Sequence, residues 1–144
     1  MKYSKALREC IESAFLVASH FGAEYLESWH LLIAMANHGY SVAGATLNEF
    51  PYEMDRLEEV AVELTETKYS DKEHYQELPF SHRLKVLLLE AEHVASVVHA
   101  KVLGTEHVLY AILHDGNALA TRILEKAGFS YEDQKDQVKI AGLR

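Results

Sequence analysis

Apolar residues recur along this chain at intervals of three and four positions, which places side chains on one face of an α-helix. One long stripe follows Ser4 and a matching stripe follows Ser81, and serine is a preferred N-cap residue. The first stripe consists of Ala6, Leu7, Cys10, Ile11, Ala14, Val17 and Ala18, and the second of Leu84, Leu87, Leu88, Ala91, Val94, Ala95 and Val98. The pattern predicts a long amphipathic helix in each half of the chain.

Three shorter helical patterns follow each stripe. In the first half the first pattern covers 28–37 and the third covers 52–67. The second pattern lies between them, with Ser41 as its predicted N-cap and its end near Phe50. In the second half they cover 105–114, a segment between Asn117 and Ala127, and a last helix that starts at Ser130. The polar segment 68–79 has no stripe and is interpreted as a connector. Eight helices and no strand are predicted.

The two halves also resemble each other residue by residue. Displaced by 77 positions, Tyr3–Phe50 aligns with Phe80–Ala127 without a gap, and 14 of the 48 pairs are identical. Similarity at a fixed period indicates a duplicated structural unit. We therefore predict an all-α fold in which two tandem pseudo-symmetric four-helix repeats, 3–67 and 80–144, are joined by the connector 68–79 and packed as one domain.

Composition narrows the class of protein. A chain of 144 residues that is 49% apolar suits one domain with a full core, and no apolar run approaches the roughly 20 residues of a membrane span. The start of the chain lacks the pattern of a signal peptide, and the single cysteine, Cys10, fits a reducing compartment. We expect a cytoplasmic protein that binds no membrane.

The net charge of −8 is unevenly distributed, because residues 1–77 carry 6 basic and 14 acidic side chains. Such a surface repels a phosphate backbone, so nucleic acid is not an expected partner. The predicted helix 52–67 carries Glu58 and Glu59 on its polar side. These acids either form an ordinary solvated face or a docking face for a basic partner protein.

The candidate chemistry is sparse. Glu27-x-x-His30 and Glu90-x-x-His93 resemble the Glu-x-x-His pairs of di-iron helical bundles, which leaves a metal-dependent oxidoreductase as an alternative function. However, the two pairs occupy different positions of the repeat, and Glu90 and His93 lie off the apolar stripe. Cys10 lies within its stripe and behaves as a small apolar residue. We expect no metal, no cofactor and no catalytic residue in this chain.

The second unit contains a recognisable run from Leu103 to Gly116, which includes Gly104-Thr105-Glu106-His107. This run, the duplication and the connector together resemble the N-terminal Clp repeat domain of Clp/Hsp100 AAA+ unfoldases, and most of all the ClpC type of Gram-positive bacteria. The resemblance implies a non-catalytic domain that receives MecA-type adaptors and unfolded substrates. The unfoldase would pass these substrates to the ClpP peptidase in protein quality control and the stress response. The chain has no Gly-x-x-x-x-Gly-Lys-Ser/Thr loop, so the ATPase ring would be separate. A free-standing Clp-repeat protein that competes for adaptors is a further alternative.

The resemblance also implies a binding site for phosphoarginine. Glu106 and Thr105 would contribute to it, and the helix start at Ser81, with Arg83, would supply amides and a cation. The first unit has Trp29 where the acid should be, with Glu27 two residues away, so we expect one site per chain. We interpret Trp29 as an exposed anchor for a partner and Glu27 as a further partner contact. The structural alternative is that Thr105 caps its helix, Glu106 complements the helix dipole and His107 bonds internally.

Overall fold

The computed structural model describes residues 1–67, 76–115 and 119–129, and these ranges form an all-helical fold with two isolated β-bridges and no strand. The predicted all-α class is confirmed for these ranges. Seven α-helices lie in the described ranges: α1 Lys5–His20, α2 Ser28–Ala36, α3 Val42–Leu47, α4 Leu57–Thr65, α5 His82–Val97, α6 Thr105–Leu113 and α7 Leu119–Lys126. The predicted eighth helix from Ser130, the cap at Asn117 and most of the connector lie outside the described residues.

Three serine side chains begin helices as predicted. The hydroxyl oxygen of Ser4 accepts a hydrogen bond from the Leu7 amide at 3.1 Å, and Ser81 does the same for the Leu84 amide at 3.1 Å. Ser41 accepts from the amide of Gly44 at 3.0 Å. Each hydroxyl satisfies one of the amides that the first turn of a helix leaves without an intrahelical partner.

The fourth pattern of the first half differs from the prediction at its beginning. The chain forms a 3₁₀ turn over Met54–Arg56 before α4 starts at Leu57, whereas the sequence predicts a helix from Tyr52. Likewise, α3 ends at Leu47, before Phe50. Pro51 lies between the two elements and disfavours the helical conformation of Phe50, the residue before it.

Helix α2 lies at the centre of the molecule. All nine of its residues are buried, which is expected for a helix that is apolar on every side. It packs against α1, α3, α5, α6 and α7. The core is therefore continuous between the first and second halves of the chain.

Backbone hydrogen bonds cross between the halves at two places. The amide of Ser4 donates to the Leu103 carbonyl at 2.8 Å, and the amide of Leu103 donates to the Lys2 carbonyl at 2.8 Å. The same contacts recur 77 positions away, where the amide of Ser81 donates to the Leu26 carbonyl at 3.0 Å and the amide of Leu26 donates to the Pro79 carbonyl at 2.9 Å. The start of α1 therefore lies beside the start of α6, and the start of α5 lies beside the start of α2.

Candidate ligand-binding cleft

A cleft of about 430 Å³ opens where helices of the two halves begin side by side. It lies between the start of α1, the start of α3 and the loop that leads into α6. Its polar lining comes from both halves of the chain: Ser4, Ser41, Lys101, Thr105, Glu106 and His107. We call it the Glu106 cleft.

Glu106 is half-buried in the first turn of α6. Its carboxylate lies over the α-carbon of Gly104, because a β-carbon built on Gly104 would collide with Glu106 Oε1. Glycine at 104 therefore makes room for this position of the acid. Within the described ranges Glu106 forms no ion pair, so its carboxylate is available to a cation that enters the cleft.

Lys101 supplies the opposite charge on the same cleft. It is exposed, and it forms no ion pair with any residue that the structure describes. A carboxylate forms strong paired hydrogen bonds with a guanidinium group, whereas an ammonium group and first-turn amides bind phosphate. The cleft can therefore accommodate a ligand that carries a cationic and an anionic group.

Thr105 is committed to the fold. Its side chain is buried, and its Oγ1 accepts a hydrogen bond from the amide of Ala43 in α3 at 3.1 Å. The expectation that Thr105 caps its own helix is wrong, because the N-cap of α6 is Gly104. The expected internal bond of His107 is confirmed, since its Nδ1 accepts from the Gly104 amide at 2.9 Å. Thr105 ties the start of α6 to the start of α3.

Ser81 and Arg83 do not line the Glu106 cleft, and the expectation that they lie beside Glu106 is wrong. Ser81 bonds to Leu26 at the start of α2, as described above. The guanidinium of Arg83 pairs with the carboxylate of Asp115 at 3.3 Å, beyond the opposite end of α6. The helix start that does adjoin Glu106 is that of α1, because backbone hydrogen bonds join Ser4 and Lys2 to Leu103, just before α6.

Trp29 is buried, so the expectation of an exposed partner anchor is also wrong. Its indole packs edge-on against the ring of Phe21, with ring centroids 4.8 Å apart. Phe21 and Trp29 lie 77 positions before Val98 and Glu106, both of which line the cleft. Two large aromatic rings in the first half thus take positions that a valine and a carboxylate occupy in the second.

Glu27 and His30 form a local pair at the start of α2. The backbone amide of Glu27 donates to His30 Nδ1 at 2.9 Å, the counterpart of the bond between Gly104 and His107. Burial lowers the pKa of His30 to about 3, so the imidazole is neutral. The expected packing role of the two equivalent histidines agrees with these contacts.

Glu58 and Glu59 are both paired within the fold. The carboxylate of Glu58 lies 3.4 Å from His20 Nδ1, and that of Glu59 lies 3.6 Å from Arg56 Nη2. Surface pairs of this kind contribute little to stability and are readily exchanged. The charge of Glu59 is therefore partly neutralised by Arg56.

Two observations on the described residues concern metal and thiol chemistry. Among the described residues, no group of three or more His, Cys, Asp or Glu side chains is placed to hold a metal ion. Cys10 is completely buried, as the stripe predicts, and burial raises the pKa of its thiol to about 11. Within the same ranges, no helix combines the length and apolar character needed to cross a bilayer.

Sequence reasoning missed Ser4, Ser41 and Lys101 as neighbours of Glu106. Ser4 and Ser41 were identified only as caps, and Lys101 lies in a loop without any pattern. One sequence signal was available for Lys101, since the aligned residue of the first half is Glu24. The charge at this position is therefore opposite in the two halves, and the halves also differ at the position of Glu106, where the first half has Trp29.

Comparison with known proteins identifies the fold and the family. The family model of the Clp repeat (R) N-terminal domain matches residues 2–139. The chain belongs to this Clp N-terminal domain family. This Clp N-terminal domain is 25% identical over 122 residues to the chaperone protein ClpB of Oceanobacillus iheyensis. It is 22% identical over 138 residues to the negative regulator of genetic competence ClpC/MecB of Bacillus subtilis.

The alignments cover 84% and 95% of this Clp N-terminal domain but only 15% and 16% of those two relatives. Similar domains have been solved. The N-terminal domain of ClpD from Arabidopsis thaliana has a TM-score of 0.75 at 16% identity, covering 95% of this chain and 92% of that one. The Hsp104 N-terminal domain from Candida albicans has a TM-score of 0.72 at 19% identity, covering 96% and 89%.

A third similar structure contains a bound peptide. The ClpV N-domain in complex with a VipB peptide has a TM-score of 0.67 at 20% identity, covering 94% of this chain and 84% of that one. These likenesses establish the fold. The family match makes the chain a Clp repeat N-terminal domain, homologous to the N-domains of ClpB and ClpC.

Proposed function

We propose that this domain recognises substrates and adaptor proteins for a ClpC-type AAA+ unfoldase in the bacterial cytoplasm. The unfoldase would feed a ClpP-type peptidase in protein quality control. The proposal is supported by the family membership, by the similarity to ClpC/MecB over 95% of the chain, and by the open cleft that contains Glu106 and Lys101. It includes two pseudo-symmetric four-helix repeats, and the matched hydrogen bonds 77 positions apart favour that arrangement.

The Glu106 cleft is the proposed site for arginine-phosphorylated substrates. Glu106 would pair with the guanidinium nitrogens, while Lys101 and the first-turn amides would hold the phosphoryl group. Thr105 acts by fixing the start of α6 and makes no ligand contact in this proposal. Ser81 and Arg83 take no part, since neither lines the cleft.

One such site per chain is proposed. The positions of the first half that correspond to Lys101 and Glu106 hold Glu24 and Trp29, and Ala6, which lines the cleft, corresponds to Arg83. A ligand phosphate would be repelled by Glu24, and Trp29 offers no charge to a guanidinium. Titration with phosphoarginine should therefore saturate at one equivalent, and two equivalent sites would contradict the assignment.

The substitution Glu106→Gln tests the site. Loss of a carboxylate that pairs with a guanidinium costs roughly 1.5–3 kcal/mol, so the affinity for phosphoarginine should fall at least about tenfold. Calorimetric titration of free phosphoarginine measures the change. The matched control is Glu12→Gln, which alters an exposed acid of α1 outside the cleft. Unchanged affinity in Glu106→Gln would disprove the assignment.

The adaptor role needs its own experiment. A MecA-type adaptor mixed with the domain should form a complex that elutes earlier in size-exclusion chromatography than either protein alone. Trp29 is buried, so Glu58 and Glu59 on α4 are the better candidates for contacts with a basic partner. Failure of every MecA-type adaptor to bind would contradict the adaptor role. It would also contradict the alternative of a free-standing Clp-repeat protein that competes for adaptors.

A further inference from the structure

Three exposed apolar side chains border the Glu106 cleft. They are Tyr40, which is fully exposed, Val42 at 52% and Val102 at 40%. We call these three residues the apolar rim. Large exposed apolar side chains are individually common, but a group of them beside a polar cleft marks an interaction site.

The apolar rim is built from both halves of the chain. Tyr40 and Val42 belong to the start of α3, whereas Val102 belongs to the loop before α6, so the two sides of the rim come from different halves of the chain. The first residues of α3 are held to α6 by the bond between the Ala43 amide and Thr105. The rim is thus set at a fixed position relative to Glu106.

The charges in the cleft indicate what the rim contacts. Glu106 and Lys101 offer one acidic and one basic group, which is complementary to a single phosphorylated arginine side chain. In an extended peptide the residues two positions before and after lie about 7 Å away along the backbone and point their side chains to the same face, so these side chains reach the border of the same cleft. The border that they meet is apolar.

We propose that the Glu106 cleft selects phosphoarginine in an extended peptide segment whose residues two positions away on either side are bulky and apolar, and that Tyr40, Val42 and Val102 contact those residues. The inference rests on the proposed function of the cleft. Segments of this composition are normally buried in folded proteins. The cleft would therefore recognise a mark and the unfolded state of its surroundings together.

The test compares three ligands by calorimetry: free phosphoarginine, a short phosphoarginine peptide with leucine two positions before and two positions after the phosphoarginine, and the same peptide with glycine at those two positions. We expect the leucine peptide to bind about five- to tenfold tighter than the glycine peptide, because apolar side chains leave water on binding. The double substitution Tyr40→Ser with Val102→Ser should bring this ratio close to one, because it removes apolar contacts of the rim.

Val86→Ser is the matched control, because Val86 is exposed to 41%, almost as Val102 is, but does not line the cleft. It should keep the ratio of the unaltered domain. Equal affinities for the two peptides, or a ratio that survives the double substitution, would overturn the inference while leaving the phosphoarginine site intact. Absence of binding by free phosphoarginine and by both peptides would overturn the proposed function as well.

The rim could instead join two copies of the domain. In that case sedimentation of the unaltered domain would depend on its concentration, the double substitution would remove that dependence, and the leucine peptide would show no preference. That combination would also overturn the inference.

Discussion

At the scale of single residues, the side chains of the Gly104–His107 run divide between binding and structure. Glu106 projects its carboxylate into the cleft, whereas Thr105 and His107 are buried and bonded within the protein. The sequence alone could not separate these roles, because a threonine at a helix start suits a cap and a ligand contact equally well. The separation depends on α3, which brings the Ala43 amide to Thr105.

Thr105→Val tests the structural role of the threonine. Valine has nearly the same shape but lacks the hydroxyl, so the buried Ala43 amide would lose its acceptor, and the free energy of unfolding should fall by about 1–3 kcal/mol. Urea denaturation followed by circular dichroism measures the loss. Thr105→Ser keeps an acceptor and should lose less, and equal stability of Thr105→Val and the unaltered domain would contradict the assigned bond.

His30 predicts a pH dependence of stability. Its pKa is about 3 in the folded domain and about 6.5 in the unfolded chain, so between these values the unfolded state binds more protons. The contribution is complete above pH 6.5 and is lost as the pH falls, by about 2 kcal/mol between pH 7 and pH 5. Denaturation at several pH values should show a shallower dependence in His30→Asn than in His82→Asn, which alters an exposed histidine. Equal slopes in the two variants would refute this prediction.

At the scale of helices, most of the described architecture could be predicted from the sequence. The stripes and the serine caps gave α1 and α5 with correct starts, because an amphipathic face and a cap are local properties. The partner of each helix start could not be predicted. Ser4 and Ser81 carry the same local signal. Ser4 lies beside Glu106, and Ser81 does not, because the Ser4 amide bonds to Leu103 of the second half whereas the Ser81 amide bonds to Leu26 of the first half. The exposure of Trp29 was wrongly predicted for the same reason: its ring packs against Phe21, and this contact between two elements is not a local property of the sequence.

Ser81→Ala separates the capping role of that serine from a binding role. Loss of the bond to the Leu84 amide should lower the free energy of unfolding by about 1 kcal/mol. The affinity for phosphoarginine should not change, because Ser81 lies outside the cleft. Ser96→Ala, at an exposed position of α5, is the control for both measurements. A weaker affinity of Ser81→Ala for phosphoarginine would contradict this prediction and indicate that Ser81 belongs to the binding site.

At the scale of the whole molecule, the two halves depend on each other. The central helix α2 packs on helices of both halves, and the starts of α1 and α5 each bond to the opposite half. Leu26 and Leu103, whose backbone groups form these bonds between the halves, are both completely buried. Neither half can satisfy these backbone groups or cover these side chains by itself.

We therefore expect one cooperative unfolding transition for the intact domain, and little stable helix in a polypeptide of residues 1–67 alone. Circular dichroism during urea denaturation distinguishes the outcomes, with the intact chain as the reference. Two separate transitions, or cooperative unfolding of the 1–67 polypeptide, would show that the halves are independent.

Trp29 is the single tryptophan of the chain, and it lies buried against Phe21 in the half that lacks the carboxylate. Fluorescence emission excited at the indole therefore comes from one known site at the start of α2. Its shift to longer wavelength will report exposure of the core, and it needs no engineered label. Since Trp29 does not line the Glu106 cleft, the same intrinsic signal can follow unfolding in the presence of ligand without a direct contribution from binding.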